Sequence, residues 1–230
     1  MTRTAYRLSL MLAVVGSAGL SAGCVTAQDA PRPAEEYLSQ PLVTDVYTAD
    51  PSAHVFDGKI YVYASHDTEE GPPLADVEPF QNSEGNAFKM RDYVVLSMAR
   101  PGGPVEVHRD VLDIADVPWA ARQMWAPDTA YRDGTYYLYF PAKDHAGAFR
   151  IGVATSDHPA GPFRARPEPI QGSFSIDPAV FVDDDGSAYM YFGGLSGGQL
   201  QKYVGGTFDP NGPGGDPRGA EEQAFMPQVA

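Results

Sequence analysis

The chain has 230 residues and a formal net charge of −14 at pH 7. So acidic a protein repels phosphate groups, which argues against binding to nucleic acid or to anionic membrane surfaces, whereas a neutral ligand is compatible with it. The single cysteine excludes a disulfide framework.

The first 27 residues have the features of an export signal. Arg3 and Arg7 precede an apolar stretch that is too short for a membrane-spanning helix, and small residues follow it. Cys24 comes after a Leu-Ser-Ala-Gly sequence that resembles a bacterial lipobox, although the leucine lies one position too far from the cysteine. We therefore expect an exported protein, periplasmic or extracellular, that is either free or anchored through a lipid on Cys24.

The remaining chain divides by composition. Residues 28–40 are polar and proline-rich, which is typical of a linker. We expect the folded body to occupy residues 41–230, with an irregular Gly-Pro-rich end over 205–230.

One pattern occurs three times in this body: ADPSAHVFDGKIYVYAS from Ala49, WAPDTAYRDGTYYLYFP from Trp125 and IDPAVFVDDDGSAYMYF from Ile176. Each copy has a proline, which is best tolerated as the first residue of a strand, then an apolar stretch, an Asp-Gly turn and a strand rich in aromatic residues. Self-similarity of this kind indicates a repeated supersecondary unit, here a β-hairpin.

Further predicted hairpins lie between the copies, over residues 93–107 and 151–166. Two hairpins per repeat make a four-stranded blade, so the sequence predicts an all-β protein with the β-propeller fold. A β-sandwich built from similar hairpins is the alternative. The sequence contains about three such blades. In the third, only the first few residues of the second hairpin are recognisable, at 200–203. Since propellers close rings of four to eight blades, we expect an amino-terminal part of a longer ring, or a truncated product with an exposed edge.

Asp50 and Asp177 align at the position immediately before the repeat proline, where the second copy has Ala126 and has Asp128 two residues later. Innermost strands of a propeller start around one axis, so we expect the two carboxylates to face each other at one mouth. Inverting glycoside hydrolysis uses two carboxyl groups about 6.5–9.5 Å apart. An ordinary strand-entry role is the alternative, because Asp-Pro commonly starts turns.

The sequence predicts no metal site and no catalytic cofactor. The five histidines do not cluster at the spacing of metal ligands, and no serine lies in a nucleophile-elbow sequence. Whether the protein binds a structural calcium ion is left open by the sequence. The sequence implies no protein partner.

Three segments, TADPSAHVFDGKIYVYASHD, RQMWAPDTAYRDGTYYLYFPAKD and GSFSIDPAVFVDDDGSAYMYFGG, resemble glycoside hydrolase family 43. The resemblance covers residues 41 to about 203 and implies a five-bladed propeller enzyme acting on xylose- and arabinose-containing polysaccharides. It implies that Asp50 is the general base, that Asp177 adjusts the pKa of the acid and orients it, and that Trp125 stacks on the sugar.

The same resemblance places the general acid on a glutamate in an EGP-type motif of a later blade. Glu70 begins a Glu-Gly-Pro sequence, but in the loop after the first hairpin, whereas Glu221 and Glu222 lie in the Gly-Pro-rich tail. We therefore expect this chain to lack the acid. Since general acid catalysis contributes about 10²–10⁴-fold, the chain by itself would be nearly inactive on natural glycosides.

The leading functional hypothesis is thus an exported glycosidase that cleaves xylosides or arabinofuranosides with inversion. Two alternatives stay open at this point. One is a catalytically silent, carbohydrate-binding propeller, and the other is a truncated product without function.

Overall fold

A computed structural model describes three ranges of the chain, residues 40–68, 88–203 and 206–213. Several predictions concern residues outside these ranges: the export signal with Cys24, the linker up to residue 39, the tail from residue 214, and Glu70, Glu221 and Glu222. Every element described below belongs to the second of two units of the chain, Pro41–Ala230.

The described residues form these strands: β1 (Thr48–Phe56), β2 (Lys59–His66), β3 (Tyr93–Met98), β4 (Glu106–His108), β5 (Ala120–Arg122), β6 (Asp128–Arg132), β7 (Thr135–Asp144), β8 (Phe149–Ser156), β9 (Arg164–Ala165), β10 (Ile176–Val182) and β11 (Ala188–Gly193). Short 3-10 turns occur at Ile114–Asp116, Ser196–Gly198 and Leu200–Lys202. No α-helix occurs in the described ranges, and none of their helical turns has the length and apolarity of a membrane span. The predicted all-β class is confirmed.

The strands form three antiparallel sheets, and each sheet consists of strands that follow one another in the sequence. The first has the order β1-β2-β3-β4. The second contains β6-β7-β8-β9, with β5 paired beside β6 along the longer β7, and the third is the hairpin β10-β11. A β-sandwich with Greek-key connections would exchange strands between sheets. Sheets made of successive hairpins instead correspond to two propeller blades and the first hairpin of a third.

Two details of the sheets differ from the sequence prediction. Residues 200–202 form a 3-10 turn instead of the start of another strand. Strand β5 was not predicted, and it pairs with the last residues of β7, where Ala120 faces Asp144. A strand of three residues carries too little alternation to be visible in a sequence.

Two of the three Asp-Gly turns have the predicted conformation. Asp57 and Gly58, and likewise Asp133 and Gly134, all have positive φ and form two-residue hairpin loops, as a type I′ turn requires. The third turn is longer and spans residues 183–187 between β10 and β11. There only Gly186 of the Asp-Gly pair has positive φ.

The first two sheets share one hydrophobic core, which contains the buried side chains of Tyr63, Tyr93, Leu138, Phe140 and Phe163. The tyrosines also connect the sheets by hydrogen bonds. The Tyr63 hydroxyl donates to the carbonyl of Pro159 at 2.5 Å, and the Tyr93 hydroxyl donates to the carbonyl of Trp125 at 2.7 Å. Because each buried hydroxyl has an acceptor, the aromatic rings stay buried without an unsatisfied polar group.

Gly152 on β8 tests this packing. A Cβ atom there would lie 2.5 Å from the Trp119 ring and 2.6 Å from the Phe140 ring, two side chains that are themselves stacked. We predict that Gly152→Ala lowers the free energy of unfolding by about 1–3 kcal/mol through overpacking, measured by urea denaturation. Gly193→Ala is the matched control, since nothing lies within 4 Å of its Cβ position. Equal stability of the two variants would contradict the packing described here.

Candidate active site

The first strand of the first blade bulges at Asp50. The ladder between β1 and β2 pairs the residues on either side, but Asp50 and Pro51 together stand opposite Ala64 alone. This is a β-bulge, and proline fits it because proline has no N–H to donate to the ladder. Asp50 has a φ of 50°, in the left-handed region that aspartate enters more readily than most residues.

The third blade repeats this geometry. In the β10-β11 hairpin, Asp177 and Pro178 together stand opposite Phe192, and Asp177 has a φ of 56°. Asp50 and Asp177 thus occupy the same structural position, as the alignment of the repeats predicts. The prediction that the prolines begin the strands is wrong, because Pro51 and Pro178 lie inside β1 and β10.

The second blade lacks the bulge. Strand β6 begins only at Asp128, so Ala126 and Pro127 precede it. The part of β7 that this segment leaves unpaired is taken up by β5 and by the Trp125 N–H, which donates to the carbonyl of Pro141 at 3.2 Å. The second copy of the repeat therefore contributes a different group, the carboxylate of Asp128.

Asp50 and Asp177 lie close enough for their charges to interact. Loss of hydration around the Asp177 carboxyl raises its pKa, and the negative charge of Asp50 raises that pKa further. Both residues keep one side open to solvent, so the dehydration is partial. Strands β1 and β10 both pack on β6, which explains how residues so distant in sequence meet.

Trp125, the predicted sugar platform, is held at a fixed orientation. Its Nε1–H donates to the carbonyl of Phe88 at 2.9 Å, and its ring lies 4.8 Å from the ring of the buried Phe149. Phe88 is itself about half exposed, at 48%, and its ring makes an edge contact with Trp125. The indole is partly exposed to solvent.

Two glycines connect the Trp125 region to the strand that carries Asp177. A Cβ on Gly197 would lie 3.8 Å from the Trp125 ring. A Cβ on Gly198 would lie 2.6 Å from the side chain of Ile176, the residue before Asp177. This segment therefore lies next to both the Trp125 ring and the strand that carries Asp177.

Asp128 is the residue of this region that sequence reasoning missed. Its carboxylate is buried and accepts hydrogen bonds from Ser52 on β1, at 2.5 Å, and from the Val180 N–H on β10, at 2.6 Å. His54 Nε2 lies 2.7 Å away. Since an ionised carboxylate only accepts, Nε2 carries the hydrogen. The signal in the sequence was an aspartate two residues out of register with the other copies.

The described residues provide no metal centre. No group of three or more His, Cys, Asp or Glu side chains that could hold an ion occurs in the part of the chain that the structure describes. Two surface cavities, one of about 440 Å³ beside Thr135 and Arg164 and one of about 270 Å³ beside Asp92 and Arg109, are not lined by Asp50, Asp177 or Trp125.

Within the described ranges, the glutamates are Glu106 and Glu168. Glu106 lies on β4, the outer strand of the first blade, and forms an ion pair with Lys59. Glu168 is exposed in the segment that follows β9. Neither stands beside the two bulges in sequence or in strand order, so neither takes the position of a general acid.

The interaction between the two bulges leads to a direct prediction. Replacement of Asp50 by Asn removes a negative charge and keeps a residue that tolerates positive φ, so the pKa of Asp177 should fall toward its ordinary value. Carbon-detected NMR titration of the carboxyl groups measures this. Asp133→Asn is the control, because Asp133 also has positive φ but lies in a distant exposed turn. An Asp177 pKa that responds equally to both variants, or to neither, contradicts the proximity.

Comparison with protein-family models matches residues 38–212 to Glycosyl hydrolases family 43. The chain is 56% identical over 195 residues to Xylosidase/arabinosidase 43A of Humicola insolens, a match covering 83% of this chain and 58% of that protein. It is 53% identical over 163 residues to a Xylosidase/arabinosidase of Bacteroides ovatus, covering 70% of this chain and 48% of the relative. The chain thus spans about half the length of the curated relatives it matches.

A solved structure shares the fold with a TM-score of 0.70 and 59% sequence identity, covering 77% of this chain and 52% of the other. It is a family 43 beta-xylosidase/alpha-arabinofuranosidase from a compost microbial metagenome, in complex with xylotriose and in a calcium-free form. The predicted β-propeller is confirmed, and the chain covers part of it. The resemblance noted in the sequence is confirmed as well: this chain belongs to family 43 of the glycosyl hydrolases.

Proposed function

We propose that the protein hydrolyses xylose- or arabinose-containing glycosides of plant cell-wall polysaccharide, with inversion at the anomeric carbon. The observation that carries the proposal is the pair of equivalent bulges that bring Asp50 and Asp177 together. The names of the relatives, xylosidases and arabinosidases, support the choice of sugar.

In this proposal Asp50 is the general base. Its carboxyl is solvent-exposed at the bulge, so a water molecule can reach it and be deprotonated as it attacks the sugar. Asp177 lies close enough for burial and the charge of Asp50 to raise its pKa, and in the proposal it adjusts the pKa of the general acid and orients it. Trp125 supplies a flat apolar face for the sugar ring.

The general acid is not assigned to any of the 230 residues. A glycosidic oxygen leaves poorly unless it is protonated, so we propose that these residues supply the base and the binding face, and that they alone turn over natural glycosides very slowly. No cofactor takes part in the proposed reaction, and no step passes through a metal ion. The proposed binding partner is the carbohydrate substrate, and the proposal includes no binding of nucleic acid.

The proposal includes export from the cytoplasm, to the periplasm or the cell exterior. It rests on the sequence of residues 1–27, and a lipid on Cys24 is one form it could take. A polysaccharide substrate outside the cell is consistent with that location.

A sugar-binding propeller without catalysis is the second candidate, because Trp125 is held for stacking while the acid is unassigned. Turnover of chromogenic pentosides by the full-length protein separates the two. Hydrolysis of an aryl xyloside or arabinofuranoside supports the enzyme, whereas binding of xylotriose without hydrolysis of any pentoside supports the binding protein.

Asp50→Asn should lower kcat on an aryl xyloside by about 10²–10⁴-fold, since it removes the base, while the Kd for xylose stays within about threefold of the unmodified value. Stopped assays and titration calorimetry measure the two quantities. Asp133→Asn, a charge loss in a remote turn, should change neither. Normal turnover by the Asp50 variant removes Asp50 from the role of base.

Trp125→Ala should weaken xylotriose binding by about 2- to 12-fold, because an aromatic stacking contact is worth about 0.5–1.5 kcal/mol. Tyr131→Ala is a control for the loss of an exposed aromatic side chain, since Tyr131 lies on β6 and is 47% exposed. Calorimetric titration compares the variants. Equal affinities in all three proteins would show that the sugar binds elsewhere.

A further inference from the structure

Asp128 joins two strands that no backbone ladder connects. Strand β1 belongs to the first sheet and β10 to the third, whereas Asp128 begins β6 of the second sheet. One carboxylate oxygen, Oδ1, accepts from Ser52 and His54 on β1 and from the neighbouring Thr129 N–H. The other oxygen, Oδ2, accepts from the Val180 N–H on β10.

These contacts are placed directly behind the two bulges. Ser52 follows Asp50 by two residues, with only Pro51 between them. Val180 follows Asp177 by three residues. The bulge residues themselves are not paired by the ladder. Ser52 is the first residue that the ladder pairs again in β1, and Val180 is the second in β10, after Ala179, so Asp128 binds each strand within two paired residues of its bulge.

We propose that Asp128 is a positioning residue that holds Asp50 and Asp177 at a fixed separation, by binding the strand behind each bulge with a different carboxylate oxygen. The inference rests on the proposed hydrolytic function and deepens it. Asp128 has no contact with substrate in this account and acts only through the two strands.

The chemistry requires a carboxylate at this position. Asparagine has the same shape, but one of its two terminal atoms is an NH₂ donor. In the Oδ2 position that NH₂ would face the Val180 N–H, and the link to β10 would be lost. In the Oδ1 position it would leave the Thr129 N–H without an acceptor, and Ser52 and His54 would have to change from donors to acceptors. A buried donor without an acceptor destabilises the folded state, so we expect the strand that carries it to shift.

The surroundings favour the charged form of Asp128. The side chain of Asp128 is only 10% exposed, and this burial by itself would raise the pKa of the carboxyl. The hydrogen bonds from His54, Ser52 and the two backbone N–H groups outweigh the burial and lower that pKa. The titratable groups that face it are His54 on β1 and Tyr139 on β7, whose own pKa is raised by burial, by Tyr137 and by the charge of Asp128. The pKa of Asp128 is therefore below its ordinary value, and the carboxylate form is favoured.

The test is Asp128→Asn in the full-length protein, with three readouts: urea denaturation, steady-state kinetics on an aryl xyloside, and the Asp177 pKa by carbon-detected NMR. We expect kcat to fall by about 10²-fold, as for a misplacement of about 1 Å, with KM changed less than about threefold. The pKa of Asp177 should move toward its ordinary value as Asp50 moves away.

Asp144→Asn is the matched control. Asp144 is a partly buried carboxylate that, like Asp128, has several donors, namely the N–H groups of Ala146 and Ala148 and the Arg150 side chain, but these all belong to the second blade. It should lower stability without a change in kcat or in the Asp177 pKa. If Asp128→Asn behaves in the same way, Asp128 is structural only and the proposal is overturned.

If Asp128→Asn does not fold, Ser52→Ala decides, because it removes one donor and leaves the carboxylate in place. A smaller loss of kcat, together with a shift of the Asp177 pKa, supports positioning, and unchanged values of both overturn it. The NMR readout also separates this inference from the proposed function. A protein that hydrolyses no pentoside contradicts the function, while the Asp177 pKa still reports whether Asp128 sets the separation.

Discussion

A buried carboxylate between three sheets is the interaction on which the candidate site depends. Asp128 accepts hydrogen bonds from side chains of the first sheet and from a backbone N–H of the third. A buried charge is tolerated only when its hydrogen-bonding capacity is filled, and here donors reach both oxygens. The first two sheets also meet through a shared hydrophobic core and the tyrosine hydroxyl bonds, but Asp128 is bound to both the first and the third sheet.

The same region contains two local departures from ideal strand geometry. Asp50 and Asp177 both have left-handed backbones within bulges, and the pKa of Asp177 is raised, so its ionised form is less stable in the folded chain. A raised pKa of this kind reduces the free energy of unfolding above that pKa, and the loss disappears in acid where the group is protonated in both states. Strain and charge repulsion of this kind concentrate at functional sites, because stability alone would select against them.

The repeated hairpins were predictable from sequence, and so was the equivalence of the two aspartates. Tight Asp-Gly turns and alternating aromatic residues are local signals, and they located β1, β2, β6 and β7 within a few residues. The bulges were not predicted, since a proline after aspartate fits a strand start equally well. The role of Asp128 depends on Ser52 and Val180, which come from other repeats, so only the folded chain reveals it.

The central claim is that Asp50 and Asp177 form one site for a sugar. A crystal structure of the full-length protein with xylotriose tests it most directly. The account predicts the two carboxyl groups less than about 10 Å apart, with a water molecule bound by Asp50 next to an anomeric carbon, and with a sugar ring on Trp125. A xylotriose bound away from these residues, or carboxyl groups well beyond that separation, would contradict the account.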